Sequence, residues 1–456
     1  INPNININIS NNPSILSNVG NLGNIGNMGN NFNNFNQGQN QIINDNFFPE
    51  KKIKDSINNE IFKHPSVGLK NVGATCYMNA TLQCFCNIKK FVNFFKYKLN
   101  EEMISKINSK SQQNLTISFK YLIENLWVTK INKYYLSKYN SKNANNKYFI
   151  PKKFKEKISI MNPLFEGAQA NDSKDLVNFL IMTLHEELNK AQPQKIIDNS
   201  NISINQGDKL FVLQNFANTF MKENMSLISD LFYAMSNNTT ECLNCHNMKY
   251  NFQIYFFLNF PLEEVRKFKV QTQVNQYIQA NQSFMMMNQA LYQQNLNLFM
   301  TNCNNNTTSV NLDDCFRYNQ KFEEFTGENA MYCNCCQAQA SARYQTLLST
   351  GPEILILILN RGKGIEFKVK CEFVQQLNLY EYIEMKNTGF MYDLVGVVTH
   401  MGGSDSSGHF IAICKSPIDH CWYQYNDDLV FPVKDFVNEV INYAMPYILF
   451  YQKINN

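Results

Sequence analysis

Cys76 stands between a Gly-Ala-Thr turn and a helical pattern, in the stretch NVGATCYMNATLQCF from Asn71 to Phe85. Cysteine chemistry runs through the thiolate, and the unpaired N–H groups and positive dipole end of a helix N-terminus favour that form. A lone cysteine is more often a packed one. Cys84 and Cys86, farther along the same helix, fit that bland description better than Cys76 does. A partner changes the balance. VVTHMGGSDSSGHFIAIC puts His409 at the start of a strand-like run, directly after a loop of small residues, and CWYQYNDDLVF follows with Asn426, Asp427 and Asp428. Cysteine proteases need a base to form the thiolate and a third group to orient the base, and these groups meet in space rather than in sequence. His409 followed by an Asn or Asp on the next strand supplies that pair. Strand alternation puts Asn426 and Asp428 on one face and Asp427 on the other, so at most one face can point at the imidazole. The glycines between His400 and His409 leave the backbone approachable, as a site receiving an extended peptide requires.

A second chemistry is written in cysteine pairs. Cys242-Leu-Asn-Cys245 and Cys333-Asn-Cys335-Cys336 are two C-x-x-C elements, and together they offer four thiolates to one tetrahedral zinc. Four thiolates leave no open position for water or substrate, so such a zinc is structural. The pairs lie far apart, with a Gln/Asn-rich segment accounting for the excess. Cys335, between two candidate ligands, competes with Cys336 for the assignment.

The elements that must position these groups follow from the rest of the chain. Of 456 residues 44% are apolar, enough for a full core, and 41 Lys and Arg against 37 Asp and Glu leave a net charge of only +4. Such a balance advertises neither nucleic acid nor an anionic membrane as a partner. The longest apolar run, ILILIL from Ile354 to Leu359, is far below the roughly 20 residues of a membrane helix, and no signal-peptide pattern opens the chain. Thirteen cysteines without a secretory signal read as reduced thiols, which points to the cytoplasm and/or the nucleus. Residues 1–60 are Asn-rich, with almost no charge over the first 45 or so, and are expected to be disordered. Globular character begins near His64, with a helical pattern continuing to about Lys98. DSKDLVNFLIMTLHEELNK, with Leu176, Phe179, Leu180, Leu184 and Leu188 at three- and four-residue steps, is a second helix, for which Asp172 or Ser173 is the N-cap. From about Leu231 the texture changes to strands, so helices precede strands and the fold class is α+β. The Gln/Asn/Met-rich segment 270–309 reads as a disordered insertion.

These motifs resemble those of the ubiquitin-specific proteases. GLKNVGATCYMNATLQCF is similar to their cysteine box, DSKDLVNFLIMTLHEEL to their Gln-Gln-Asp box, SVNLDDCFRYNQKFEEFTGENAMYCNCC to the approach to their second metal knuckle, and GHFIAIC, WYQYNDDLVF and YILFY to their histidine box and closing strand. The resemblance runs from about Pro65 to Gln452. It implies a papain-like cysteine protease domain over 64–453, with a thumb (64–230), fingers (231–350) and palm (351–453), hydrolysing the bond after ubiquitin's C-terminal glycine. By position Cys76 is the nucleophile and His409 the general base. Asn426 is the third member, because that member follows the aromatic directly, and Asp427 is an accessory residue. The resemblance also makes Asn71 an oxyanion donor, Asp172 a carboxylate facing the ubiquitin tail, and Cys242, Cys245, Cys333 and Cys336 the ligands of a fingertip zinc. Ubiquitin and ubiquitinated proteins are the implied partners, together with a recruiting complex of unspecified identity. Ala170-Asn171 in place of the Gln pair, Gly362 after Arg361 and Phe410 after His409 depart from the family pattern. The rival functions are a catalytically impaired ubiquitin-binding relative and a protease for another ubiquitin-like modifier.

Overall fold

The computed structural model describes residues 67–110, 114–127, 147–169, 171–191, 209–306, 308–362, 364, 366–402, 408–442 and 445–454. The Asn-rich segment 1–60 lies outside them, as do Ala170 and residues 403–407 of the loop before His409. Among the described residues, no helix is long and apolar enough to cross a membrane.

Strand β1 (Val67–Leu69) leads into α1 (Cys76–Cys86), which begins at the candidate nucleophile itself. The sequence suggested a helix continuing to about Lys98. The helical course does reach Lys98, but in pieces: α1 ends at Cys86, with all of its residues buried, and after a break at Asn87 and Ile88 a short helix (Lys89–Asn93) and a π-helical turn (Phe94–Lys98) carry it on. A helix enclosed on every side must satisfy its polar groups internally. Thr81 Oγ1 donates to Tyr77 O, Gln83 Nε2 to Val67 O and Asn79 Nδ2 to Leu69 O. Of helices α2 (Leu115–Leu126), α3 (Ser173–Leu188) and α4 (Leu227–Phe232), α3 packs on α1 and is flanked by α2 and α4. An aromatic cluster joins this helical lobe to the strands behind it. The rings of Phe91 and Phe119 cross at 5.2 Å, and Phe85 meets Phe450 edge-on at 5.4 Å. Full burial of each such side chain contributes about 1.5–3 kcal/mol.

After α4 the chain turns to strands. β2 (Ala234–Cys242) and β3 (Met248–Tyr255) form an antiparallel hairpin, whereas β4 (Leu258–Pro261) leaves it for a larger sheet. Helices α5 (Leu262–Ala280), α6 (Gln289–Asn306) and α7 (Leu312–Asn319) intervene before β5 (Glu323–Phe325) and β6 (Ala342–Leu348) rejoin the hairpin, giving a four-stranded sheet in the order β3-β2-β6-β5. The eight-stranded sheet is completed by β7 (Ile354–Asn360), β8 (Gln376–Asn378), β9 (Met391–Met401), β10 (His409–Lys415), β11 (Trp422–Asn426), β12 (Leu429–Val433) and β13 (Pro446–Lys453). Its order is β12-β11-β10-β9-β13-β7-β4, with β8 on β9. The run ILILIL is its most enclosed strand. Ile354, Ile356 and Ile358 enter the core shared with the helices, while Leu355, Leu357 and Leu359 enter a second core on the opposite face, beside Leu262, Val265 and Phe316. A strand covered on both faces has no polar side to show.

Two features differ from the sequence expectation. The segment between β4 and β5 packs on the large sheet, although it lies inside the span 231–350 expected to form the fingers. Of the segment 270–309, residues 270–306 are largely helical rather than disordered. Val270 and Val274 of α5 meet Tyr292 and Leu296 of α6 in a small core of their own, and Tyr277 stacks on Phe299 at 4.3 Å. The three- and four-residue spacing of those apolar positions was present in the sequence, masked by the amides around it. The amides themselves form pairs one turn apart, Gln271 to Asn275 at 2.9 Å and Gln293 to Asn297 at 3.3 Å.

Candidate active site

The turn before Cys76 is built by Asn71. Its Oδ1 accepts from Gly73 N (3.1 Å), Thr75 N (3.1 Å) and Thr75 Oγ1 (3.2 Å), and both Gly73 and Ala74 take positive φ. This folds the chain sharply into α1. The first N–H bonded within the helix is that of Asn79, to Thr75 O at 2.9 Å. The N–H groups of Cys76, Tyr77 and Met78 therefore have no acceptor within the helix, at the end from which Cys76 projects. Cys76 is 8% exposed.

Helix α1 makes its most extensive contact with β10. Cys84 Sγ meets Cys414 Sγ at 3.7 Å, and toward the other end Asn79 Nδ2 donates to Asp427 Oδ1 at 2.8 Å. From Cys84 back to Cys76 is about 12 Å along a helix; from Cys414 back to His409 is about 16 Å along a strand. Nucleophile and base thus lie at the same end of the helix–strand pair.

His409 Nε2 donates to Asn426 Oδ1 at 2.7 Å. An amide oxygen has no hydrogen to give, so Nε2 donates, and in the neutral imidazole the lone pair is then on Nδ1. Asp427 Oδ2 lies farther from His409 Nε2, at 3.8 Å. Alternation along a strand was expected to aim only one of these two residues at the imidazole. Both approach it, because β11 ends at Asn426 and Asp427 opens the turn to β12 with φ 49, folding its carboxylate back toward the histidine. That carboxylate also takes Asn71 Nδ2 at 3.1 Å, so the amide expected at the oxyanion is directed at Asp427 in this structure.

The same turn rests on β1. Leu69 N donates to Asp427 O at 2.7 Å, and a Cβ at Gly68 would lie 2.6 Å from Asp427 O and closer still to the carbonyl of Asp428. Only glycine permits this contact. Gly68→Ala is expected to lower unfolding stability by about 1–3 kcal/mol by forcing the turn off β1; an unchanged denaturant midpoint would show that the turn moves freely. Sequence reasoning missed both Gly68 and Asn79. Asn79 had a signal, since it sits three residues after Cys76 on the same helical face.

Asp172 is the N-cap of α3, its Oδ1 accepting from Lys174 N at 2.8 Å while Oδ2 accepts from Tyr447 OH at 3.1 Å. Its neighbour Asn171 donates to Tyr77 OH at 3.2 Å, beside the nucleophile. Arg361 is fully buried, and its guanidinium donates to the carbonyls of Pro446 and Val369, tying the end of β7 to the start of β13. Burial pushes the His400 imidazole below its ordinary value, and the charges of Arg361 and His409 act in the same direction.

At the far end of the four-stranded sheet the sulfurs of Cys242, Cys245, Cys333 and Cys336 all lie within 4.8 Å of one another. Cys242 pairs with Cys336 at 3.8 Å and Cys245 with Cys333 at 3.7 Å. Sulfurs bound tetrahedrally at about 2.3 Å from a zinc would be about 3.8 Å apart, so the donor set fits such an ion. The two knuckles share a backbone form, with a positive-φ residue after the second cysteine of each pair, His246 and Gln337. Backbone N–H groups of Cys245 and Asn244 pull the Cys242 thiol below its usual value, to about 7. Cys335 is exposed and stands outside the cluster, which resolves its competition with Cys336. Pairing of Ala342 with Cys242 brings the distant motifs together.

A family model described as ubiquitin carboxyl-terminal hydrolase matches residues 67–451. The chain is 22% identical to ubiquitin carboxyl-terminal hydrolase Usp2 of Drosophila melanogaster over 393 residues, covering 85% of this chain and 34% of that protein. It is 24% identical to ubiquitin carboxyl-terminal hydrolase 21 of Homo sapiens over 406 residues, covering 85% and 61%. It spans between about a third and three fifths of the length of these curated relatives. Among solved structures it is similar to a chain of the SAGA DUB module Ubp8/Sgf11/Sus1/Sgf73 bound to monoubiquitin, with a TM-score of 0.58, 16% identity, and coverage of 89% of this chain and 74% of that one. A yeast SAGA DUB module carrying an Sgf73 mutant gives a TM-score of 0.55 at 16% identity, covering 87% and 70%. The chain belongs to the ubiquitin carboxyl-terminal hydrolase family, and its α+β fold is that of the ubiquitin-specific protease catalytic domains.

Proposed function

We propose that this protein is a thiol-dependent deubiquitinase that hydrolyses the isopeptide or peptide bond after the C-terminal glycine of ubiquitin. The observation that carries this reading is the 2.7 Å bond from His409 Nε2 to Asn426 Oδ1, on a strand packed along the helix that begins at Cys76. His409 Nδ1 takes the thiol proton, and the Cys76 thiolate attacks the carbonyl carbon of ubiquitin's last residue. N–H groups of the first turn of α1 and the second amide hydrogen of Asn71 stabilise the oxyanion. The imidazolium returns its proton to the leaving amine, leaving a thioester at Cys76. Water, deprotonated by the same imidazole, then releases ubiquitin. Asn426 fixes the tautomer without adding a full charge, as in other Cys-His-Asn sites. Asp172 faces the entering ubiquitin tail while still capping α3. Ubiquitin as substrate is supported by neighbours solved with monoubiquitin and with ubiquitin aldehyde. The four-cysteine cluster binds one structural zinc that holds the fingers. The thirteen free cysteines favour a reducing compartment, the cytoplasm or the nucleus.

Ubiquitin and related modifiers, each bearing a C-terminal electrophile, test this reading. Labelling of Cys76 by the ubiquitin probe alone is the expected result. Labelling by a different modifier's probe alone would reassign the substrate, and ubiquitin binding without labelling would mark an impaired binder. Within the site, Asn426→Ala is expected to lower kcat/KM more than Asp427→Ala, by at least about tenfold, or about 1.4 kcal/mol. Should Asp427→Ala be the more damaging in steady-state kinetics, the third member is Asp427.

A further inference from the structure

We propose that Asn79 is a positioning residue that acts through Asp427, pinning the histidine-bearing sheet to the cysteine-bearing helix. The proposal rests on the deubiquitinase reading for its substrate but not for its geometry. Asn79 is 2% exposed and lies one turn into α1. Its Nδ2 donates to two acceptors from different parts of the chain, Leu69 O at 2.9 Å and Asp427 Oδ1 at 2.8 Å. Both partners are oxygens without hydrogens, so only the amide NH₂ can face them. The cost of that orientation is visible: Asn79 Oδ1 is buried with no hydrogen-bond partner. An amide that served packing alone would not have to bury an unpaired carbonyl.

The consequence lies in what Asp427 does with its other oxygen. With Oδ1 held by Asn79, Oδ2 is placed 3.1 Å from Asn71 Nδ2 and 3.8 Å from His409 Nε2. One carboxylate thereby connects α1, the oxyanion-side loop and the catalytic imidazole. Asp427 follows Asn426 directly, so the pin that holds Asp427 also fixes the end of β11 from which Asn426 reaches His409. Asn79 touches neither substrate nor the reacting atoms in this scheme. It sets the distance between thiol and imidazole from below.

A double-mutant cycle on the full chain tests the coupling, read by steady-state cleavage of a ubiquitin C-terminal amide. Asn79→Ala is expected to lower kcat by about tenfold with KM changed by less than about threefold. The Asn79→Ala/Asp427→Ala pair is expected to be no worse than the more damaging single variant. Losses that multiply in the double variant would overturn the proposal, since independent sites add in free energy. A second arm preserves side-chain shape. Asn79→Asp sets a carboxylate against that of Asp427 and is expected to be more damaging than Asn79→Ala, whereas Asn79→Asp/Asp427→Asn restores the donor–acceptor pair between the two side chains, without the bond to Leu69 O, and is expected to recover at least about fivefold in kcat over Asn79→Asp alone. Absence of that recovery would also overturn the proposal, and this arm decides if Asn79→Ala fails to fold. The rate of Cys76 alkylation by iodoacetamide, followed by peptide mass spectrometry, reads the same cycle without ubiquitin. Coupled alkylation rates in a protein that cleaves no ubiquitin substrate would uphold the pin and refute the deubiquitinase reading, whereas uncoupled rates in an active enzyme would do the reverse.

Discussion

Cys76→Ala is expected to cut cleavage of a ubiquitin C-terminal amide by at least about ten-thousandfold, while ubiquitin affinity stays within about threefold of wild type. The asymmetry follows from the site. In the proposed mechanism the thiol forms the new bond, so without it the His409–Asn426 pair has no nucleophile to activate. A side chain only 8% exposed can contribute little to a protein interface. Single-turnover hydrolysis and a direct binding isotherm on the same preparation measure the two quantities. Residual turnover within about tenfold of wild type would require a different nucleophile.

Loss of one knuckle cysteine is expected to have a comparably large effect on stability. Structural zinc sites of four thiolates bind with about 10–16 kcal/mol, which exceeds or matches the total stability of about 5–15 kcal/mol typical of a domain. Cys245→Ser should therefore abolish metal retention and open the tip of the four-stranded sheet, seen as fast amide exchange in β2 and β6. Cys335→Ser, outside the cluster and exposed, should leave both unchanged. Elemental analysis of the purified protein is expected to return one zinc per chain; an active, metal-free preparation would remove zinc from the account of the fingers.

Local rules made several parts of this protein legible in its sequence. Asp172 caps α3 because a short carboxylate before a helical run can reach the second helical N–H, a relation contained within three residues. EILILILN was legible as a strand from its branched apolar run, and the structure then showed both of its faces covered. The cysteine and histidine boxes were recognisable as motifs because catalytic chemistry restricts residue type, and the two C-x-x-C pairs were recognisable because a tetrahedral metal restricts spacing.

What the sequence left open was decided by contacts between segments not adjacent in the chain, among them a pair 348 residues apart. The N-terminus of α2 is capped by the carboxylate of Glu187 from α3, which accepts from Leu115 N and Thr116 N at 2.7 Å, and nothing near Leu115 in the chain foretells it. The helices of 270–309 form because α5 and α6 cover each other's apolar rows; either alone would be too polar to persist. Strand alternation could not say whether Asn426 or Asp427 meets His409, because alternation ends where β11 ends. The turn that follows takes its shape from β1 beneath it, at Gly68 and Leu69, and from Asn79 on α1. Residue types and the motif resemblance nominated the candidate catalytic groups, but their distances depend on backbone packed against backbone between distant segments, and a periodicity read along one strand carries no information about that.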